Sequence, residues 1–294
     1  MEYLDQSKSY GLSSGTRLPY WLKKGFKGER SHEVKRLLRK RKLNTVCESA
    51  KCPNIFECFS KPTATFMILG NVCSRNCGFC AVPSGKPLPV NSLEPEEVAN
   101  SVREMKLKHV VITSVTRDDL QDGGAKQFAL TIKAIRKINP AIVVEILTPD
   151  FDPEGLLKIS KPNIYNHNVE TIPRLYSKVR PEAAYHKSLK LLASVKKLVP
   201  EIVTKSGIMV GLGEEFEEVV DVMRDLRNSG CEVITIGQYL RPSKNHLSVD
   251  RFVYPEVFDR YKKIGDRLGF IHTASGPFVR SSFNAEEICE NFQE

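Results

Sequence analysis

Three cysteines lie close together in the sequence, in the order Cys73, Cys77 and Cys80. The stretch CSRNCGFC spaces them as C-x3-C-x2-C, directly after an apolar segment that is typical of a strand. Three thiolates on one short loop can hold three irons of a cubane iron–sulfur cluster, which leaves the fourth iron without a protein ligand. Such an iron can bind a small molecule and pass an electron to it. The spacing therefore predicts an iron–sulfur site that acts on a bound small molecule.

A second group of three cysteines precedes the first. Cys47, Cys52 and Cys58 are spaced as C-x4-C-x5-C in CESAKCPNIFECF. A structural zinc site is the alternative interpretation of either group, as are a few buried thiols. Structural zinc takes four ligands, usually as two pairs, and neither group has an evident fourth ligand nearby. Two groups of three therefore favour two clusters, the second with one iron held in a different way.

The composition is that of an ordinary globular protein, with 294 residues, 41% hydrophobic and 27% charged. No run approaches the roughly 18 apolar residues of a membrane span. The first residues, MEYLDQSKSYGLSSG, carry polar groups where a signal peptide needs an apolar run, so we expect a cytoplasmic protein. In a reducing compartment, clustered thiols bind metal instead of forming disulfides. We expect the isolated Cys231 in the core and assign no role to Cys289.

The charge balance bears on the kind of partner. Lysine and arginine number 44 against 35 acidic residues, which gives a net charge of +9 and a pI near 9.1. A basic surface suits either nucleic acid or an acidic protein. Because no basic motif interleaved with aromatic residues is present, nucleic acid is the weaker interpretation.

Strands that alternate with helices must position the cysteine loops. Segments rich in Val and Ile predict six strands, at 63–69, 109–115, 141–147, 163–169, 201–210 and 232–240. Segments between them predict helices at 92–108, 124–138, 184–198 and 214–229. This alternation predicts an α/β fold, a partial (β/α)6 barrel of parallel strands, with a doubly wound sheet as the alternative. Barrels of this kind carry their active sites at the carboxyl ends of the strands.

The barrel leaves a segment of chain at either end. We predict an N-terminal extension over residues 1–62, which carries the second cysteine group and one helix at 31–41. The barrel itself should span 63–245, and a C-terminal extension should span 246–294.

The two cysteine motifs resemble those of a known family. CSRNCGFC is similar to the signature loop of radical S-adenosylmethionine enzymes, including the aromatic residue before the last cysteine. CESAKCPNIFEC ahead of it resembles the lipoyl synthase family in particular. The similarity extends from about residue 40 to residue 285, through TSVTRDDLQDGGA (113–125), EILTPDF (145–151), HNVET (167–171), KSGIMVGLGE (205–214), QYLRPS (238–243) and ASGPFVRSSFNA (274–285).

The resemblance implies two [4Fe–4S] clusters and S-adenosylmethionine as cofactors. The loop with Cys73, Cys77 and Cys80 would hold the cluster to which S-adenosylmethionine binds. The other three cysteines would hold the second cluster, with Ser282 of the R-S-S-F motif as an oxygen ligand. An oxygen ligand is harder and more easily replaced than a thiolate, which suits a cluster that is taken apart. The chain departs from the family where Phe283 replaces a common Tyr, Thr116 a usual Asn and Phe59 a common Trp.

The residues at the strand ends are the candidates for contacts with S-adenosylmethionine. Its carboxylate, ammonium, ribose and adenine suit the charged, polar and glycine positions there. We expect the contacts from Ser114, Thr116, Arg117, Asn168, Glu170, Arg180, Gly211 and Leu212. Radical hydrogen abstraction needs no general base, so we expect no catalytic acid or base, and His109, His167 and His186 should be structural.

The resemblance also implies the reaction and its partners. The family inserts sulfur at C6 and C8 of an octanoyl chain on a lysine of a lipoyl-carrier domain, and the sulfide comes from the second cluster. The expected partners are that octanoylated carrier, a reduced electron donor of the ferredoxin or flavodoxin type, and an iron–sulfur carrier that rebuilds the cluster. Two alternatives stay open: a radical enzyme whose second cluster only relays electrons, and a zinc-binding basic protein that docks on nucleic acid.

Overall fold

The computed structural model describes residues 10–13, 17–23, 36, 38–41, 43–60 and 65–282. Most of the helix predicted at 31–41 lies outside these ranges, as do Phe283 and Cys289 and the first two residues of the strand predicted at 63–69.

The strands form one large sheet and one separate pair. In chain order they are β1 (Gly11–Ser13), β2 (Asn44–Thr45), β3 (Thr65–Ile68), β4 (His109–Ser114), β5 (Val143–Leu147), β6 (Ile164–Asn166), β7 (Val203–Val210), β8 (Val233–Gln238), β9 (Arg251–Val253) and β10 (His272–Gly276). The sheet has eight strands in the order β10-β8-β7-β6-β5-β4-β3-β2, and β1 pairs with β9. Strands β3 to β8 and β10 are parallel to their neighbours, whereas β2 runs antiparallel to β3.

The six predicted strands correspond to β3 through β8, which confirms the α/β fold with a parallel sheet. Strand β10 extends this sheet at the edge of β8, from a region predicted as C-terminal extension. Strand β2 extends it at the other edge, from the predicted N-terminal extension. Both extensions therefore contribute strands to the barrel sheet.

Helices connect successive strands. They are α1 (Val46–Ser49), α2 (Ile55–Ser60), α3 (Glu94–Glu104), α4 (Ala125–Ile138), α5 (Pro153–Ile159), α6 (Tyr176–Val179), α7 (Tyr185–Leu198), α8 (Phe216–Asn228) and α9 (Pro255–Arg267). The four predicted helices correspond to α3, α4, α7 and α8. Helix α5 begins at Pro153 because the Asp152 side chain accepts a hydrogen bond from the Glu154 N–H at 3.0 Å.

The core lies between the sheet and these helices in two large apolar clusters. One packs β3, β4 and β5 against α3 and α4, with Phe66, Ile112 and Phe128 fully buried. The other packs β7 and β8 against α8 and α9, with Ile236 and Met223 fully buried. Within the described ranges, no helix has the length and apolar character needed to cross a membrane. This packing fixes the strand ends at which the polar loops begin.

Candidate active site

A cavity of about 480 Å³ opens at the carboxyl ends of the parallel strands. Strand-end residues such as Thr113, Leu147 and Met209 form part of its wall. All six clustered cysteines and the serine predicted as a ligand also line it: Cys47, Cys52, Cys58, Cys73, Cys77, Cys80 and Ser282. The fold therefore brings two cysteine groups and a serine from far apart in the sequence to one cavity.

The first cysteine loop follows β3 and is held by backbone hydrogen bonds on several sides. Cys73 exchanges backbone hydrogen bonds with the returning chain, to the Pro83 carbonyl at 2.8 Å and from the Gly85 N–H at 2.9 Å. Farther along the loop, Gly78 donates its N–H to the Val179 carbonyl and accepts from the Leu247 N–H, each at 3.0 Å. The loop is therefore anchored to segments that follow β3, β6 and β8.

The sulfur atoms of this loop lie in surroundings that suit cluster ligands. The Cys73 Sγ accepts hydrogen bonds from the backbone N–H groups of Arg75 and Thr116, at 3.4 and 3.3 Å. Such hydrogen bonds stabilise the negative charge of cluster-bound thiolates. Burial raises the pKa of Cys77 to about 12 and that of Cys80 to about 11, so both are protonated without metal. Cluster binding must therefore release these protons.

The second cysteine group lies beside the C-terminal segment that carries the serine. Cys47 is in α1, which the Thr45 hydroxyl caps by accepting from the Cys47 N–H at 3.2 Å. The buried Asn54 donates its side-chain N–H to the Phe278 carbonyl at 2.7 Å, across 224 positions of sequence. This contact ties the two segments together at the cavity.

A glycine in β8 allows the C-terminal segment to approach the barrel. A Cβ atom added at Gly237 would lie 2.1 Å from the Val279 carbonyl oxygen, so any larger residue would displace the chain at Val279. Ser281 and Ser282 follow two and three residues later and line the cavity. The close approach therefore positions the serines over the strand ends.

Five of the eight residues expected to contact S-adenosylmethionine line the cavity. They are Ser114, Thr116, Asn168, Glu170 and Arg180. The Arg180 guanidinium donates to the Asn168 carbonyl at 2.9 Å, and the Asn168 side-chain amide donates to Glu170 at 3.0 Å. Burial raises the pKa of Glu170, although Arg180 and Asn168 act against it. Glu170 also has a φ of +66°, a left-handed conformation that is uncommon for a residue other than glycine.

Two polar atoms in this wall fit a ligand with hydrogen-bond donors. The Ser114 hydroxyl oxygen and the Asn168 side-chain oxygen are buried and make no hydrogen bond to any described residue. Buried polar atoms are usually satisfied, so an unsatisfied pair in a cavity wall points to a bound polar molecule. The ammonium group and the ribose hydroxyls of S-adenosylmethionine both offer such donors. The residues present therefore fit S-adenosylmethionine.

The other three expected contacts lie outside the cavity wall. The Arg117 guanidinium donates to both carboxylate oxygens of Asp119, at 2.8 and 2.7 Å, and to the Leu69 carbonyl. The N–H groups of Gly211 and Leu212 donate to the buried carboxylate of Glu214. These three residues stabilise local structure in this conformation.

Two networks of charged side chains lie around the cavity, and the sequence motifs did not predict them. Arg75, between the cysteines of the first loop, is bound by Asp118 and Asp150. Below the cavity, Lys205 donates to Glu145 at 2.9 Å, and both side chains are fully buried. The sequence does indicate the second network, because Glu145 and Lys205 are each a charged residue in the middle of an apolar strand. The first network has no comparable signal, because charged residues in loops are common.

Comparison with known proteins agrees with this geometry. Residues 67–226 match the model of the radical SAM superfamily. The chain is 56% identical over 274 residues to lipoyl synthase of Caldanaerobacter subterraneus subsp. tengcongensis, which covers 92% of this chain and 96% of that protein. It is also 56% identical over 283 residues to lipoyl synthase of Alkaliphilus metalliredigens, with 95% and 98% covered. The crystal structure of methylornithine synthase has the same fold, with a TM-score of 0.53 and 11% identity over 91% of this chain and 93% of that one.

The family resemblance predicted from the two cysteine motifs is therefore confirmed, and so is the prediction of an enzyme. The chain is 56% identical to two lipoyl synthases over nearly the whole of each, and it matches the radical SAM model over residues 67–226. It therefore belongs to the lipoyl synthase family of the radical SAM superfamily.

Proposed function

We propose that this enzyme inserts two sulfur atoms, at C6 and C8, into an octanoyl chain carried on a lysine of a lipoyl-carrier protein. The observation that supports this most strongly is that both cysteine groups and Ser282 line the same cavity. A reaction that joins a radical source to a sulfur source requires both within reach of one substrate chain. When bound, S-adenosylmethionine and the two clusters would supply a carbon radical and the transferred sulfide.

The cluster ligands follow from this proposal. Cys73, Cys77 and Cys80 would hold the cluster that S-adenosylmethionine contacts. The second cluster is held by Cys47, Cys52, Cys58 and Ser282. The serine hydroxyl is the ligand most easily exchanged, because iron binds thiolate more strongly than a neutral hydroxyl. Such an exchangeable ligand would suit a cluster that supplies the transferred sulfide.

The residues that line the cavity suit both the cofactor and the substrate chain. Arg180 suits the carboxylate of S-adenosylmethionine, and Asn168 and Ser114 suit its ammonium group and ribose hydroxyls. Apolar residues of the same wall, among them Met67, Leu147 and Met209, suit an octanoyl chain. A radical on such a chain is protected from side reactions when water is excluded.

The partners are part of the same proposal. The substrate is an octanoylated lipoyl-carrier domain, which the basic surface attracts if the carrier is acidic. A ferredoxin or flavodoxin supplies electrons, and an iron–sulfur carrier rebuilds the second cluster after turnover. We propose the cytoplasm as the compartment, because clustered thiols that bind metal are typical of proteins in a reducing compartment.

An anaerobic reaction tests the proposal. Reconstituted enzyme, S-adenosylmethionine and a reductant are mixed with a peptide that bears octanoyl-lysine, and the mass of the peptide is followed. We expect the peptide to gain two sulfur atoms, with one methionine and one 5′-deoxyadenosine formed for each carbon attacked. Cleavage of S-adenosylmethionine without sulfur in the peptide would contradict the proposed substrate and favour a second cluster that only relays electrons.

Cysteine variants separate the roles of the two groups. Cys77→Ala should abolish cleavage of S-adenosylmethionine, whereas Cys52→Ala should retain cleavage and lose sulfur insertion. Cys231→Ala is the matched control, because this thiol is fully buried between backbone carbonyls far from the cavity wall. Sulfur insertion by Cys52→Ala at the unmodified rate would contradict the assignment of the second group.

A further inference from the structure

An arginine in the first cysteine loop is held by carboxylates that follow two neighbouring strands. Arg75 stands between Cys73 and Cys77, and its side chain is only 14% exposed. Its Nε and Nη2 donate to Asp118 at 2.9 and 2.8 Å, and its Nη1 donates to Asp150. Asp118 follows β4 and Asp150 follows β5. A planar guanidinium bound on both edges has a fixed orientation, so this loop is tied to two strand ends.

Asp150 also reaches the wall predicted to receive S-adenosylmethionine. Its Oδ1 lies 3.3 Å from His167 Nε2 and 3.8 Å from Arg180 Nη2. Arg180 is 8% exposed, lines the cavity and donates to the Asn168 carbonyl. Although burial acts in the opposite direction, the hydrogen bonds from His167 and Arg75 and the charge of Arg180 hold the pKa of Asp150 well below its usual range. The carboxylate is therefore negative at neutral pH.

From these contacts we infer that Asp150 is a positioning residue. It fixes the first cysteine loop relative to the cavity wall that is expected to bind S-adenosylmethionine, because it binds Arg75 of the loop and Arg180 of that wall. The inference rests on the proposed function in one respect, because it takes this loop as the cluster-binding loop. Loop and wall belong to separate segments, after β3 and after β6. A displacement of about 1 Å between a cofactor and its reactive centre can reduce a rate on the order of a hundredfold.

The negative charge of Asp150 is central to this role. Arg75 and Arg180 are both cationic, and Asp150 is the carboxylate that contacts the two of them. An asparagine at position 150 has nearly the same shape but removes the negative charge that both guanidinium groups contact. Arg75 would keep Asp118, whereas Arg180 would lose a charged partner. We therefore expect Asp150→Asn to loosen both the loop and the wall.

The first test uses the metal-free protein, so that its outcome does not depend on cluster assembly. Amide hydrogen exchange is compared at residues 74–80 in the unmodified protein, in Asp150→Asn and in Arg75→Gln. We expect exchange to be about tenfold faster in each variant, since a lost charged hydrogen bond has roughly this effect on local opening. The double variant should exchange no faster than Arg75→Gln alone, because Asp150 acts on the loop through Arg75.

The second test measures equilibrium binding of S-adenosylmethionine to the reconstituted enzyme. We expect Asp150→Asn to bind about tenfold more weakly, with an altered electron paramagnetic resonance signal of the reduced cluster in the presence of S-adenosylmethionine. Glu104→Gln is the matched control. Glu104 and Glu97 bind Arg41 at 2.7 and 2.9 Å in a similar arrangement, and none of the three lines the cavity.

The outcomes separate this inference from the proposed function. Unchanged exchange at residues 74–80 in Asp150→Asn, or unchanged binding of S-adenosylmethionine, would overturn the inference. An equal change in Glu104→Gln would also overturn it, because the effect would then be a general loss of stability. If the unmodified protein assembles no cluster, the proposed function fails, and the exchange measurement on metal-free protein still decides the role of Asp150.

Discussion

The buried ion pair beneath the cavity allows a quantitative prediction about stability. Lys205 Nζ lies 2.9 Å from Glu145 Oε1, and the two side chains are 1% and 0% exposed. Glu145 also accepts from the Asn166 side chain at 3.2 Å, and His109 Nε2 lies 3.7 Å from its second oxygen. Two residues farther along their strands, Leu147 and Gly207 line the cavity. Side chains alternate along a strand, so the ion pair forms the layer directly below the site.

Replacing Lys205 with Met should destabilise the protein by about 3 kcal/mol. Removal of one partner of a buried ion pair costs roughly 3–5 kcal/mol, because the remaining charge is left in a medium of low polarity. The lower end applies here because Asn166 and His109 remain beside Glu145. For a protein of 294 residues, we expect the melting temperature to fall by about 5 °C, because the unfolding entropy is about 2.1 cal/mol/K per residue.

Urea unfolding of the metal-free protein, followed by circular dichroism, measures this change. The double variant Lys205→Met with Glu145→Met removes both charges, so it should recover to within about 1–2 kcal/mol of the unmodified protein. The reasoning is refuted if Lys205→Met alone costs less than about 1 kcal/mol, or if the double variant is as unstable as the sum of the single ones.

Two further predictions concern the backbone of the first cysteine loop. Glu94→Ala should lower the free energy of unfolding by about 2–3 kcal/mol in urea titrations, because the buried Leu69 N–H loses its acceptor and the Gln127 amide keeps only the Asn91 carbonyl. Gly78→Ala should lower it by about 1–2 kcal/mol and weaken binding of S-adenosylmethionine in equilibrium dialysis, because the added Cβ would lie 2.9 Å from the Leu247 side chain.

Each of these variants has a matched control. Glu96→Ala lies in the same helix turn as Glu94 but is exposed, so its effect should stay within about 0.5 kcal/mol. Gly155→Ala adds a Cβ atom in α5 with nothing within 4 Å, so it should be neutral or slightly stabilising. Controls as damaging as the variants would show that the buried contacts are not responsible.

Much of the fold follows from local patterns in the sequence. Strands β3 to β8 are buried on both faces, and their Val and Ile content is the pattern that predicts such strands. Strand β10 was not predicted, because its sequence HTASG is polar and Thr273 is its only buried residue. Helix α9 was also missed, although Val257, Phe258 and Tyr261 are spaced as one buried helical face. That signal was present in the sequence.

The parts of the candidate site that depend on residue spacing within one segment could be predicted from the sequence. The cysteine groups are local motifs, and the structure places all six at the cavity. The contact between Asn54 and Phe278, by contrast, joins segments far apart in sequence, and no local pattern indicates it. The same holds for Arg75 and Asp150, which are 75 positions apart. Because Arg117 follows a strand, it was expected near the site. The orientation of its side chain, however, depends on Asp119, two residues away.

A measurement of where the transferred sulfur comes from tests the proposed function most directly. The enzyme is reconstituted with sulfide enriched in a heavy sulfur isotope, and octanoyl-lysine peptide is converted without any further sulfur source. If the second cluster is the sulfur source, both sulfur atoms of the product are heavy, a single product forms per protein molecule, and Cys52→Ala forms none. A product with light sulfur, or repeated turnover with the second cluster intact, would contradict the proposed function.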